Sequence, residues 1–200
     1  NTLQSYLQNL LNMGVMGFRI DAAKHMASHE IASIVGGLTR TGGLPVYVFQ
    51  EVIDQGGEPI KSFEYTPNGD VTEFKFSVKL GNTFNCGDPL SSLQNMESGW
   101  LPTRFAQVFV DNHDNQRGHG AGGACILDHR DGIANYNLGN IFMLAYPYGH
   151  PSVMSSYYWS NNPSSNAGDS KGPPSTTAPY TSGSGAEIRP TYGGSQVAGG

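Results

Sequence analysis

Acidic side chains stand at the carboxyl ends of apolar runs in three places. Asp21 follows residues 15–20, Glu51 follows 46–49, and the cluster Asp111-Asn112-His113-Asp114 follows 105–110. Burying a carboxylate is costly unless it is paired or put to use. Three carboxylates brought to one place would suit glycoside hydrolysis, with one as nucleophile, one as acid/base and one supporting an oxocarbenium-like transition state. The competing reading is ordinary polar strand ends facing water. Arg19 stands two residues before Asp21 and so on the same side of an extended strand. Its charge there would keep Asp21 ionised and oriented, and a purely structural ion pair would look the same.

Other residue sets carry weaker chemistry. His25 and His29 have the spacing that turns two ligands to one metal on a helix, but no Glu follows His25 as a zincin requires and no third ligand is evident. The glycine-dense stretch Gly118-His119-Gly120-Ala121-Gly122-Gly123 lacks the Lys-Ser/Thr of a phosphate-binding loop, leaving a mobile lid or a plain flexible loop. Trp100, Tyr148, Tyr157, Tyr158 and Trp159 could line a sugar cleft or pack a core. Cys86 and Cys125 fit no zinc or redox spacing and are either one disulfide or two free thiols.

The elements that must position the acids alternate. Leu3, Leu7, Leu10 and Leu11 share one face of a helix closed near Gly14. A strand over 15–20 follows, then a helix over about 26–38, a loop at Thr41-Gly42-Gly43 and a strand over 46–49. Further strands are expected over 71–76, 105–110 and, more weakly, 153–155, with a helix over 133–144. Alternating strands and helices imply a parallel sheet. Asp21 and Glu51 are 30 residues apart, and Glu51 and Asp114 are 63 apart. Those intervals match one and two units of a (β/α)8 barrel at about 31 residues each. Active sites of such barrels lie at the carboxyl ends of the strands, where these acids fall.

The 200 residues include 11 Lys+Arg and 16 Asp+Glu, a net charge of −5, so no basic footprint for nucleic acid or anionic membranes exists. No apolar run approaches the roughly 20 residues of a bilayer span. Residues 160–200 contain no Leu, Phe, Met or Trp and are expected to form a Ser/Gly/Pro-rich loop or linker at the start of a following region. The chain opens inside a helical pattern, which reads as a fragment.

Gly17-Phe18-Arg19-Ile20-Asp21-Ala22-Ala23-Lys24-His25, Glu51-Val52-Ile53-Asp54 and Phe109-Val110-Asp111-Asn112-His113-Asp114 resemble three sequence blocks of the α-amylase family. The stretch from Asn115 through Ala124 resembles the glycine-rich loop of its animal-type branch. Gly56-Gly57-Glu58-Pro59-Ile60 and Val153-Met154-Ser155-Ser156-Tyr157 fit that branch as well. The similarity runs from the first helix to about Trp159. It implies that 1–159 are the C-terminal part of a catalytic (β/α)8 barrel, about strands four to eight.

The resemblance also implies roles. Asp21 matches the nucleophile, Glu51 the general acid/base and Asp114 the transition-state stabiliser, while His113 matches a histidine bonded to the sugar at the cleavage point. Arg19, Lys24, His25, Ile53, Glu58 and His119 fall where the family contacts substrate. The backbone carbonyl of His25 matches a calcium ligand. Arg19 and Asn112 match two ligands of a chloride site whose third, basic ligand is replaced by Ser152, so chloride-independent activity is expected. The implied protein is a secreted, monomeric, retaining endo-α-amylase acting on starch, glycogen and maltooligosaccharides. A related transglycosylase or exo-maltosidase, a non-catalytic α-glucan-binding fragment, and a metal hydrolase built on His25 and His29 are the alternatives.

Overall fold

A computed structural model describes residues 2–154, together with the backbone of two short segments, 157–158 and 189–190. The expectations for Tyr157, Tyr158, Trp159 and the 160–200 tail therefore lie outside the described residues. Four helices, α1 (Thr2–Asn12), α2 (Ser28–Val35), α3 (Phe74–Phe84) and α4 (Ile133–Ala145), accompany five strands. These are β1 (Gly17–Ile20), β2 (Tyr47–Gln50), β3 (Asp70–Thr72), β4 (Ala106–Val108) and β5 (His150–Pro151). The strands form one sheet in chain order. Every neighbouring pair is parallel, with Arg19 opposite Phe49, Phe49 opposite Asp70, and Val71 opposite Ala106. Tyr157–Tyr158 and Arg189–Pro190 form a separate antiparallel pair.

The core lies between the sheet and the helices that return the chain. Val71, Ala106 and Val108 from the strands meet Phe76 and Leu80 of α3 and Met143 of α4, all at most 1% exposed. Removing apolar surface from water at about 25 cal/mol per Å² is what holds the helices to the sheet. Trp100 and Tyr148 belong to this core rather than to a cleft. The Tyr148 ring stacks on Phe76 at 6.2 Å, meets Trp100 at 5.8 Å, and its hydroxyl donates to the Leu101 carbonyl.

Two expected strands are corrected. The run over 71–76 is a strand only to Thr72; Glu73 caps a helix by accepting from the Lys75 amide at 3.1 Å, and Phe74 and Phe76 are buried on that helix. Both β-rich residues follow the helical spacing that continues through Leu80 and Thr83, which two residues in isolation cannot reveal. The last strand is His150–Pro151 rather than 153–155, because Val108 is paired with Pro151 and Val153 is exposed. Cys86 and Cys125 form a disulfide that joins the end of α3 to the end of the glycine-dense loop.

Candidate active site

Asp21 leaves the carboxyl end of β1 and Glu51 leaves the end of β2, two strands paired in register. Arg19, in β1, reaches both. Its Nη1 lies 2.6 Å from Asp21 Oδ1 and its Nη2 lies 3.1 Å from Glu51 Oε1. The environments differ. The Glu51 side chain is 8% exposed, whereas that of Asp21 is 72% exposed. The Arg19 guanidinium, by hydrogen bond and then by charge, holds the Asp21 carboxyl below the usual carboxylate range, with Glu51 and His113 adding to it. An ionised Asp21 is what a nucleophile requires.

The chain between these acids bends through Ala22, at φ 47° and ψ 38°. A left-handed conformation is uncommon for a residue with a Cβ and costs on the order of 1 kcal/mol. The bend is offset where it is made. The Ala22 amide donates to Glu51 Oε2 at 3.0 Å, and the Ala23 amide to the Glu51 carbonyl at 3.0 Å. Lys24 then turns its Nζ to the Ile53 carbonyl at 3.1 Å, tying the segment after β1 to the segment after β2. Glu58 stands on that second segment, where its Oε2 accepts from the Gln55 amide at 2.7 Å. The segment is anchored by Asp54, 5% exposed, which accepts from the amides of Gly56 and Ser62. Burial works to raise the Asp54 carboxyl, but the amide donors of Ser62 and Gly56 and the nearby lysines outweigh it and hold it low.

The third acid comes from the turn after β4. Asp114 and His113 are both partly exposed, with His113 Nε2 3.6 Å from Asp114 Oδ2. Gly120 stands between Ile53 and the Asp114 side chain, which places this turn beside the segment that follows β2. The glycine-dense loop folds back over it. The His119 amide donates to the Asp114 carbonyl at 3.0 Å, and Gly120 lies against Ile53 and Phe74. Ala121 is buried with Phe74 and Phe109. The sequence-predicted residues Arg19, Asp21, Lys24, Glu51, Ile53, His113, Asp114 and His119 are thus brought together by the carboxyl ends of β1, β2 and β4.

Asp111 departs from its neighbours. It is 2% exposed and points away, accepting from the Tyr136 hydroxyl at 2.9 Å and from Gln116 Nε2 at 2.8 Å. His25 and His29 do not share a helical face. His25 ends a short turn of helix at 23–25, His29 lies in α2, and Met26 between them is extended. Both line a groove of about 760 Å³ that starts at Lys24.

Sequence reasoning missed several contributors. Ala22, Asp54, Asn115 and Ser77 act through backbone geometry or long-range hydrogen bonds that no spacing announces. Asn115 is bonded to Ser77 across 38 residues.

A parallel β/α sheet with acids gathered at the carboxyl ends of its strands is the layout of (β/α)8-barrel hydrolases. Known proteins narrow that class. The chain is 49% identical to pancreatic α-amylase of Sus scrofa over 170 residues, which is 80% of this chain and 33% of that protein. It is 49% identical to human α-amylase 1B over 167 residues, 78% of this chain and 32% of that one. The crystal structure of wild-type α-amylase I from Eisenia fetida superposes with a TM-score of 0.74 at 44% identity, covering 80% of this chain and 34% of that one. A second structure of that earthworm enzyme is a glutamate-to-glutamine mutant in complex with maltohexaose. No family model matches the chain. The chain belongs to the α-amylase family, as part of its (β/α)8 barrel, and spans about a third of the length of the curated relatives it matches.

Proposed function

We propose that this chain carries the catalytic acids of a retaining endo-α-amylase that hydrolyses internal α-1,4-glucosidic bonds in starch, glycogen and maltooligosaccharides. The observation that carries the reading is the sharing of one guanidinium by Asp21 and Glu51. Retaining glycosidases keep their two carboxyl groups close, at about 5–5.5 Å, so that one can attack carbon directly. Two acids on the two prongs of one guanidinium stand close together, which favours the retaining reading.

In the first step Asp21, ionised beside Arg19, attacks C1 while Glu51 delivers a proton to the leaving oxygen. Glu51 then takes a proton from water as that water displaces Asp21 from C1. Two inversions restore the original configuration. Asp114 and His113 would hold sugar hydroxyls as the ring flattens. Lys24, His25, Ile53, Glu58 and His119 would contact the glucan on either side. A maltohexaose complex of the earthworm relative supports an α-glucan ligand.

Calcium takes six to eight oxygen ligands. The His25 carbonyl stands at the end of its helical turn, where carbonyls lack partners within the helix. It is one oxygen, and among the described residues no group of three or more His, Cys, Asp or Glu could hold a metal. The residues present do not make a calcium site by themselves, and no step is routed through one. The chloride position fares similarly. Ser152 brings no cation; its amide donates to the Val108 carbonyl and its Oγ accepts from Gln107 Nε2. Chloride-independent activity is expected from the missing cation. The disulfide fits an oxidising, secreted setting. Among the described residues no helix is long and apolar enough to cross a membrane. A monomer is the expected state.

The test is reducing-end release from soluble starch with calcium present, in the chain completed to the length of its relatives. Glu51→Gln keeps the shape and the Ala22 contact but cannot trade protons, and is expected to lose about 10²–10⁴-fold in kcat. A wild type without turnover, or a mutant with full turnover, would refute the reading.

A further inference from the structure

We propose that Asn115, acting through Ser77 of α3, is the positioning residue that sets Asp114 and His113 for the reaction. This inference rests on the α-amylase reading of Asp114. The turn after β4 alternates in burial. Its reacting residues face the open side, while Asp111, Asn115 and Gln116 are 2%, 3% and 1% exposed. A segment so short, with a glycine-dense loop next to it, has no hydrophobic side chain of its own to fix its orientation. It is fixed by polar groups.

The pattern of bonds is closed. Asn115 Oδ1 accepts from the Asn112 amide at 2.8 Å, and Asn112 Oδ1 accepts from the amides of Asp114 at 3.0 Å and Asn115 at 2.8 Å. These reciprocal contacts make the turn one rigid piece. Asn115 Nδ2 then donates to Ser77 Oγ at 3.0 Å, and Ser77 Oγ donates to the Val110 carbonyl at 2.5 Å. Ser77 is wholly buried in α3. Its single proton goes to Val110, so it meets Asn115 only as an acceptor. Asn115 must therefore present its NH2 to the helix and its oxygen to the turn. Only an amide satisfies both sides. A carboxylate would lack the donor and would bury a charge, and a truncation would leave Ser77 and the Asn112 amide without their partner.

Asp114 itself takes no part in this lattice through its side chain; only its amide does. Asn115 thus governs where Asp114 sits without touching substrate. A displacement of about 1 Å at a reacting group can cost about 10²-fold in rate. The loss should fall on kcat, because contacts to sugar hydroxyls that strengthen in the transition state are the ones displaced.

The experiment is steady-state hydrolysis of maltoheptaose by the full-length chain, as wild type, Asn115→Ala, Ser77→Ala and the double variant, with thermal melting of each. The single variants are expected to lose about 10- to 100-fold in kcat, with KM changing less than about threefold. The double variant should match the worse single, since both break one chain of bonds. Ser77→Thr, which restores the hydroxyl, should recover most of the rate. A lowered Tm with unchanged kcat in the folded enzyme would overturn the inference, as would losses that multiply in the double variant. Where Asn115→Ala does not fold, Ser77→Ala, which removes one hydroxyl, decides alone. An inactive wild type would instead sink the α-amylase reading.

Discussion

The acids of the site are held in two different ways. Asp21 and Glu51, at the ends of β1 and β2, are fixed by charge, through one guanidinium that is itself 31% exposed. Asp114, at the end of β4, is fixed by neutral hydrogen bonds buried behind it, running into α3 on one side and, through Asp111 and Tyr136, into α4 on the other. The first arrangement sets the ionisation of Asp21 as well as the position of both acids, and so suits a group proposed to attack as a carboxylate. The second sets position alone, which suffices for a group proposed to bind hydroxyls. A site can thus divide its demands between ion pairs at the solvent edge and amides in the interior.

The largest effect should come from cutting the covalent tie on the β4 side. The disulfide closes a stretch of 39 residues, and the chain-entropy model credits such a loop with about 4 kcal/mol. Cys86→Ser with Cys125→Ser should lower the melting temperature strongly, and limited proteolysis should then nick the loop at 118–124. The loop is pressed onto α3, since a Cβ at Gly81 would stand 2.1 Å from the Cys125 carbonyl oxygen. If the loop stays protected without the disulfide, that packing alone holds the β4 side.

On the other side, Arg19→Ala should lower kcat by about 10²-fold, a loss of orientation of the order seen for misplaced reacting groups. It should also move the acidic limb of the pH profile. Arg19 lowers the Asp21 pKa, so its removal lets Asp21 take up a proton at higher pH, and the limb shifts upward. Equivalent displacement of the limb by Asn115→Ala would erase the proposed division of labour.

The smallest effect sharpens the contrast. Burial pushes the Asp111 carboxyl up to about 7, with the charge of Asp128 adding to it and the bonds from Tyr136 and Gln116 opposing. The folded state therefore prefers Asp111 protonated. Its contribution to stability is fully present below the ordinary carboxylate range and is lost as pH rises through about 7. Asp111→Asn, with the Gln116 amide turned to present its oxygen, should remove that decline. The gain at pH 8 should be on the order of 1–3 kcal/mol, read as melting temperature against pH for the two proteins. A wild-type curve parallel to the variant's would show that Asp111 does not titrate there.

Much of this arrangement can be read along the chain. Asp21 and Glu51 stand where apolar runs stop, and the barrel interval between them matches the register found for β1 and β2. The helix over 133–144 and the leucine stripe of α1 are equally plain, the first as a long run rich in apolar residues and the second as a helical period. What the chain conceals is direction and distance. Nothing in Asp111-Asn112-His113-Asp114 distinguishes the acid that faces α4 from the one that faces the site. Val71-Thr72-Glu73-Phe74-Lys75-Phe76 alternates like a strand, yet the helix wins from Phe74 because the following turns are buried with it. The pairing of Cys86 with Cys125 and of Ser77 with Asn115 depends on how α3 lies against the sheet, which only the assembled fold decides.

The left-handed bend at Ala22 has a bearing on inheritance. Its amide is satisfied by the side chain of Glu51, so the residue proposed to move protons also holds the backbone of its partner acid in shape. Selection for folding and selection for turnover fall on one side chain. A descendant that abandoned catalysis would still be penalised for discarding the oxygen that accepts from Ala22. A glutamate or glutamine at this position in an inactive relative would therefore testify to ancestry and architecture rather than to retained activity.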